Sequence, residues 1–600
     1  MKKFTMLSSV LASALMLTVA SCSSEDVAGG DSQNGKGTTS FLAVNIENVG
    51  SAPASRSSYE QNKGTYEDGT ADESKITNVR FYFFNGDGTP YLLVNKNSDN
   101  DSEKQPVNYL EQKVETDGND HDHTAEIKTK AVLVLNGETK AIPASVIAVI
   151  NPEVLDNTTL HSGTMTLSEL RTSATGSKFY DTTNGFVMSN SVYESAGQDV
   201  CSTPVANNVF ASSDAALKKP VDIYVERVNA KVNAKIDADY VRTNETEKAW
   251  SKNAEGKYQI NVGNIDVTTY AENTNATPTT KKYPVYAVVQ GWQVADANGK
   301  AEVCKQINTA WYAGELGFSP WTTSDYHRCF WSKSVPFTSG AHGGVNQPVN
   351  PKFENIKLSL SGDFSTTPVY TLPNTPTEVI ANPTTSLNTL TKLIVAAKLV
   401  YKDDNGDYKP AQICQYRGLT YLGEEAVKKQ IVGGFARYFK KSGDVYKSIE
   451  ASDIAFKTVV PGSPESSEVK NYEVVATLAS TVGDLYVKNG ETWTKASKDD
   501  VNAALAKETA QVRSTDGATY YYTPIKHLGD VGKLGEYGIV RNHSYQVTIQ
   551  NIKGFGTPVY DPKKEIDPMI PSDENTYLAA SVKVLSWRVV SSKVDLDQTK

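Results

Sequence analysis

Residues 227–236, RVNAKVNAKI, place Val228, Ala230, Val232, Ala234 and Ile236 on one face and Arg227, Asn229, Lys231, Asn233 and Lys235 on the other. Alternation at a period of two is the mark of a β-strand, because successive side chains leave a pleated backbone on opposite sides. It predicts a strand half in a core and half in water. The pattern returns at Tyr545, Val547 and Ile549 against Ser544, Gln546, Thr548 and Gln550, and at Val79, Phe81 and Phe83 against Arg80 and Tyr82. The latter run stops at Asn85-Gly86-Asp87-Gly88, whose asparagine and glycines tolerate the positive φ of a tight turn. Val146 to Ile150 is apolar on both sides, which predicts a strand central in its sheet.

Outward from these strands the signal stays β. Gly and Pro recur at short intervals, and Val, Ile and Thr segments alternate with Asn, Asp and Gly turns. Helical spacing is confined to Thr166–Ser173, Glu424–Ile431 and Lys498–Gln511. The expected fold is mainly β: two β-sandwich domains of Greek-key, transthyretin-like type with long loops and a few short helices, plus a C-terminal strand. The first domain would span residues 41–220, the second 221–560, and a tether with the last strand 561–600. No internal repeat has a fixed short period, which argues against a solenoid or propeller.

The amino terminus reads as an export signal. Lys2 and Lys3 precede an uncharged stretch from Phe4 to Ala20, followed by Val19-Ala20-Ser21-Cys22. That run is too short and wrongly flanked for a spanning helix, so residues 1–21 form a signal peptide. Small residues directly before a cysteine resemble a bacterial lipobox, in which Cys22 becomes the acylated first residue and its chains bury CH₂ groups in the membrane. Residues 23–40, rich in Gly, Ser and Asp, read as a flexible spacer.

Composition and motifs narrow the chemistry. The net charge of -9 gives no electrostatic support for nucleic-acid binding. Cys201, Cys304, Cys329 and Cys414 remain after Cys22 without a CxxC pair; a Cys304–Cys329 disulfide and buried free thiols are both open readings. No phosphate-binding loop occurs, since Gly532-Lys533 is followed by Leu534. His121-Asp122-His123 lies in a polar stretch without further ligand spacing and reads as a solvated loop. No metal, cofactor or catalytic residue is expected. Trp311, Trp321, Tyr326, His327, Phe330 and Trp331 form a dense aromatic neighbourhood, read as core or interface packing before sugar stacking.

The last strand has a peculiar setting. Tyr577–Leu596 follows a tether punctuated by Pro558, Pro562, Pro568 and Pro571. Leu578, Ala580, Val582 and Val584 keep strand period, and the apolar side then shifts to Leu585, Trp587 and Val589, as a bulge or two binding surfaces would require. An exposed strand of this kind is an aggregation hazard, so it must pair in its own sheet or in another subunit's.

Several segments together resemble the type V fimbrial subunits of Bacteroidales, and most of all the major structural subunits of the short fimbriae. They are the lipobox at Cys22, the strand Phe41–Val49 with Arg56 beyond it, Val225-Glu226-Arg227, Tyr520–Pro524, Val540-Arg541-Asn542-His543-Ser544-Tyr545, Val584-Leu585-Ser586-Trp587 and Val594-Asp595-Leu596. The resemblance implies an outer-membrane lipoprotein precursor whose residues 22–56 form a propeptide, cut by an arginine-specific protease at Arg56–Ser57. The first strand, with Leu42, Val44 and Ile46 on one face, would then leave a groove. The tail of the next subunit would fill it through Leu578, Val582, Val584, Leu585, Trp587 and Val589. The implied product is a head-to-tail homopolymer on the cell surface, joined by accessory tip and anchor subunits and serving adhesion and biofilm formation. A tip or accessory subunit of the same system, and a surface glycan-binding lipoprotein, are the alternative readings. In an unpolymerised monomer, Tyr577–Leu596 is expected to be loosely placed.

Overall fold

The computed structural model describes residues 39–48, 70, 72–94, 106–113, 128–137, 141–155, 160, 163–172, 174–175, 178–191, 193–195, 198–269, 279–308, 332–336, 348–380, 389–459, 473–527, 529–566, 568, 577–586 and 589–590. The chain is mainly β, and its strands gather around three large apolar interiors.

The first interior belongs to a nine-stranded sheet. At its centre, Ser145–Ile150 pairs with Asn78–Phe84 on one side and Met188–Asn190 on the other. Both of its faces are covered: Val146, Ala148 and Ile150 point into one cluster, Ile147 and Val149 into another. That explains why the run is apolar without alternation. The same holds for Asn78–Phe84, where Tyr82 and Phe84 are as buried as Phe81 and Phe83. Leu93 bridges both Val107, near strand Tyr109–Lys113, and Gly137, at the end of strand Lys128–Asn136. The two ends of the sheet therefore meet over one apolar interior. On the outer face lies helix Leu167–Thr172, started by a reciprocal cap in which Thr166 N–H reaches Glu169 and Glu169 N–H reaches the Thr166 hydroxyl.

The second interior is a sandwich. One sheet runs Val369–Thr371, Ala230–Ile236, His543–Lys553, Tyr577–Ser586, Val589–Val590. The other is built on Tyr258–Thr269, Thr279–Ala295, Lys392–Lys402 and Ala518–Pro524. Val232, Ala234, Tyr545 and Val547 from the first sheet share a core with Val285, Trp292, Val395 and Tyr521 from the second.

The third interior lies within an insertion. Lys392–Lys402 and Ala518–Pro524 are antiparallel neighbours, yet between them the chain builds two further sheets and helices Glu424–Gly433 and Lys498–Leu505. Val427, Ile431, Val501 and Leu505 enter that core.

Three expectations are corrected. Strand Val221–Arg227 pairs within the first sheet, and the chain crosses to the sandwich at Val228 and Asn229 instead of at 220/221. The polar face of 227–236 is not in water: Arg227, Asn229 and Lys231 are buried near the junction of the two bodies, and Asn233 is buried against Ser365. The helix beginning at Lys498, capped by the Ser497 hydroxyl, ends at Leu505, and Thr509–Gln511 becomes a strand between Gln415 and Glu473–Val475. A vacant place in a sheet overrides helical spacing there. Cys201, Cys304 and Cys414 are buried free thiols, and Cys329, the other half of the disulfide reading, lies outside the described residues. Burial pushes the Cys201 thiol up to about 11 and the Cys304 and Cys414 thiols up to about 12, leaving them protonated and inert.

Candidate functional site

Strand Thr39–Asn48 is threaded between neighbours on both edges. One edge runs antiparallel along Lys128–Asn136, from Thr39 opposite Asn136 to Glu47 opposite Lys128. The other runs parallel to Val221–Val225 and antiparallel to Val209–Phe210. Leu42 and Val44 are buried in the first core, with Leu133, Leu135, Ile223 and Val225 in the same cluster. Ile46 is opposite Thr129 on one side and Ile223 on the other. A slot of backbone donors and acceptors flanked by apolar side chains is what this strand occupies.

Strand Tyr577–Ser586 lies against His543–Lys553 of its own chain, from Lys553 opposite Tyr577 to His543 opposite Ser586. The loosely placed tail expected for a monomer is therefore not what is found over these residues. The physical reason is the free edge of His543–Lys553, whose other edge is taken by Ala230–Ile236. Leu578 drops into the sandwich core. The irregularity falls on the partner: Gln550 is the extra residue opposite Ala579 and Ala580, and its carbonyl accepts from the Trp250 indole at 2.8 Å. Val582 faces Val547, Val584 faces Tyr545, and Leu585 faces Ser544 across the ladder, while Val589 and Val590 turn back onto Leu585 and Val584. Trp587, Cys22, Arg56, Ser57, His121, His123 and the aromatic neighbourhood 311–331 lie outside the described residues.

Between slot and tail stands a buried polar joint. Glu226 is held by Lys305 and Arg541, each at 3.0 Å, and by the Ser191 hydroxyl at 3.2 Å. Arg541 also donates to the Val303 carbonyl at 3.0 Å. Asn542 adopts a φ of 57°, a left-handed conformation that asparagine tolerates, and its side-chain oxygen accepts from the Arg227 N–H at 3.3 Å. His543 Nδ1 donates to the Arg541 carbonyl at 2.8 Å. The two motifs Val225-Glu226-Arg227 and Val540–Tyr545 thus meet across the junction of the two bodies.

A second group adjoins it. Glu73 binds the Lys231 ammonium at 2.9 Å, accepts from the Tyr370 hydroxyl at 2.6 Å and from the Thr70 N–H at 2.7 Å, and its carbonyl accepts from Arg227 Nε at 2.6 Å. Burial alone would favour the neutral Glu73 carboxyl; Lys231 and these hydrogen bonds outweigh it and hold the carboxyl below its ordinary value. Sequence reading missed Glu73, Lys305 and Tyr370, since nothing local marks a polar residue whose partner lies 79 to 297 positions away. Among the described residues no group of His, Cys, Asp and Glu has a metal-binding arrangement.

Residues 514–593 match the family described as major fimbrial subunit protein type IV, fimbrillin, C-terminal. This stretch contains Ala518–Pro524, the Val540–Tyr545 motif and the terminal strand. No curated protein matches the chain. Among solved structures, a fimbrilin of Porphyromonas gingivalis W83 is similar at 12% identity with a TM-score of 0.34, over 92% of this chain and 98% of that one. The tip fimbrial protein Mfa3 of Porphyromonas gingivalis, truncated at its C-terminus, is similar at 9% identity with a TM-score of 0.28, over 91% of this chain and 99% of that one. A fimbrial assembly protein of Parabacteroides distasonis ATCC 8503 is similar at 9% identity with a TM-score of 0.25, over 75% of this chain and 99% of that one.

Proposed function

Because residues 514–593 match the C-terminal fimbrillin family model, we propose that the chain is a structural shaft subunit of a cell-surface fimbrium, joined head to tail by strand exchange. In this reading the lipidated precursor is cut at Arg56–Ser57, strand Thr39–Asn48 departs, and the tail of a neighbouring copy takes its place. The observation that carries the reading is the position of Thr39–Asn48, paired on both edges and yet the first strand among the described residues. A terminal strand can leave a sheet without threading anything else through it.

The direction of exchange follows from pairing. On its own sheet, Tyr577–Ser586 has a full-length neighbour on one edge and the two residues Val589–Val590 on the other. In the vacated slot both edges would be matched by long strands. Burying five or six apolar side chains at ~1.5–3 kcal/mol each supplies roughly 8–18 kcal/mol gross. Association and ordering cost about 4–15 kcal/mol or more, and releasing Leu578 from the sandwich core adds to that. A donor and a slot on different surfaces make a heterologous contact, which propagates into a filament.

The experiment is electron microscopy of the purified chain before and after limited cleavage with an arginine-specific protease, with the new N-terminus read by mass spectrometry. Fibres are expected only after cleavage at Arg56, and deletion of Tyr577–Lys600 is expected to abolish them. Fibres of normal length from the truncated chain would overturn strand exchange, and fibres from an uncut Arg56→Ala precursor would remove the role of the cut.

A further inference from the structure

The inserted unit carries an outer face that neither its core nor strand exchange uses. Its four-stranded sheet runs Val445–Ser448, Tyr438–Ser442, Leu485–Asn489, Thr492–Ala496. Both hairpins turn through two residues, with Gly443 at φ +63° and Gly490 at φ +58° in the first turn position, a conformation glycine adopts without strain. Tyr438, Leu485, Val487 and Ala496 face the unit's core. The opposite face carries Phe439, Tyr446, Tyr486 and Trp493, none of which belongs to that core. Tyr446 and Trp493 stack at 3.9 Å between centroids and 6° between planes, with Phe439 edge-on to Trp493 at 4.9 Å and Tyr486 edge-on to Tyr446 at 5.3 Å.

Lysines surround the rings. Lys441 sits over Tyr446 and Lys488 over Trp493, each at 5.8 Å from the centroid. An open cleft of about 730 Å³ beside the platform is lined by Lys440, Lys441, Lys447, Glu450, Asp484 and Tyr486. Its carboxylates are engaged: Asp484 pairs with Lys495 at 2.9 Å, and Glu450 caps a short 3₁₀ turn with Asp453, which also pairs with Lys440 at 2.7 Å. Lys441, Lys447 and Lys488 are exposed and have no ion-pair partner among the described residues. The aromatic face thus carries Lys441 and Lys488, while Lys447, opposite Lys440 and so on the other side of the pleat, lines the adjoining cleft with Lys441 and Tyr486.

We propose that this face and its adjoining cleft bind an acidic polysaccharide, with sulfate or carboxylate groups on Lys441 and Lys488 of the face and on Lys447 of the cleft, and sugar rings against the open edges of Tyr446, Tyr486 and Trp493. Sugars offer apolar C–H surface to aromatic rings and anions to ammonium groups in one repeating chain. A second copy of this chain, net negative at -9, is the competing occupant, and self-association measured without polymer separates it from a polysaccharide. Strand exchange and this site occupy different parts of the molecule, so each can fail alone.

The test is calorimetric titration of the full-length chain with heparin, hyaluronan and neutral dextran. Binding of at least one acidic polymer, none of dextran, and weakening with added salt are expected. The K441Q/K447Q/K488Q variant, altered only at exposed side chains, should bind about tenfold or more weakly, as the loss of three exposed charge contacts implies. Trp493→Ala should weaken binding without changing the salt dependence; if it fails to fold, the lysine variant still decides. Absence of binding to either acidic polymer, equal binding of dextran, or unchanged affinity of the lysine variant would overturn the proposal. So would lysine-dependent self-association in sedimentation without added polymer.

Discussion

Glu226 holds two cations, Lys305 and Arg541, with all three side chains almost fully removed from water. Removing one partner from such a group strands the remaining charges in a poorly solvating interior. Glu226→Gln is therefore expected to cost about 3–5 kcal/mol, read as a lower urea midpoint at unchanged slope; a midpoint equal to wild type would show that the group relaxes to water. Glu73 gives a pH signature. Its folded carboxyl lies below the unfolded value of 4.5, so its contribution is complete above that value and is lost as pH falls through the folded value. The stability difference between wild type and Glu73→Gln should be largest near neutral pH and shrink below about pH 4. A pH-independent difference would mean that the ion pair contributes nothing specific. These residues were half legible: Val225-Glu226-Arg227 and Val540–Tyr545 stand out as motifs, but Arg227 and Asn542 are 315 positions apart and their contact has no local trace.

At the scale of elements, the proposed cleavage would tie stability to maturation through the strand Thr39–Asn48. Leu42 is fully buried, so Leu42→Ala should destabilise the uncut precursor by about 2–5 kcal/mol. If Thr39–Asn48 leaves on cleavage, the same substitution should have no effect on the mature chain; chemical denaturation of both forms measures this. Equal destabilisation after cleavage would mean the strand stays. Alternation made 227–236 and 543–553 readable as strands, because the period of two is set by the pleat. It did not reveal that the polar side of 227–236 is buried, because a lysine opposite Glu73 and a lysine in water look alike in sequence. The terminal strand shows the same limit. Its apolar shift at Leu585 suggested a bulge, but the bulge sits at Gln550 of the partner strand, where the Trp250 indole satisfies the freed carbonyl.

For the whole molecule, the insertion is the feature that topology alone exposes. Lys392–Lys402 and Ala518–Pro524 pair directly, and residues 413–511 between them have their own core. Replacing 413–511 by a short Gly-Ser turn should leave the sandwich folded and strand exchange intact, while polysaccharide binding disappears; circular dichroism, microscopy and titration read the three outcomes. Loss of the sandwich fold would show that Arg513, which donates to the Ile413, Phe555 and Gly556 carbonyls, couples the two bodies more tightly than their separate cores imply. By itself the sequence determined the β class and the helical spacing at 166–173 and 424–431, because periodicity, turn chemistry and caps act over a few residues, and it carried segments that resemble those of fimbrial subunits. Only the tertiary structure decided which sheet each strand joins, where the polar face of 227–236 goes, and that the tail closes its own sheet. Those choices are settled by which free edge and which apolar surface are vacant once the rest of the chain has packed.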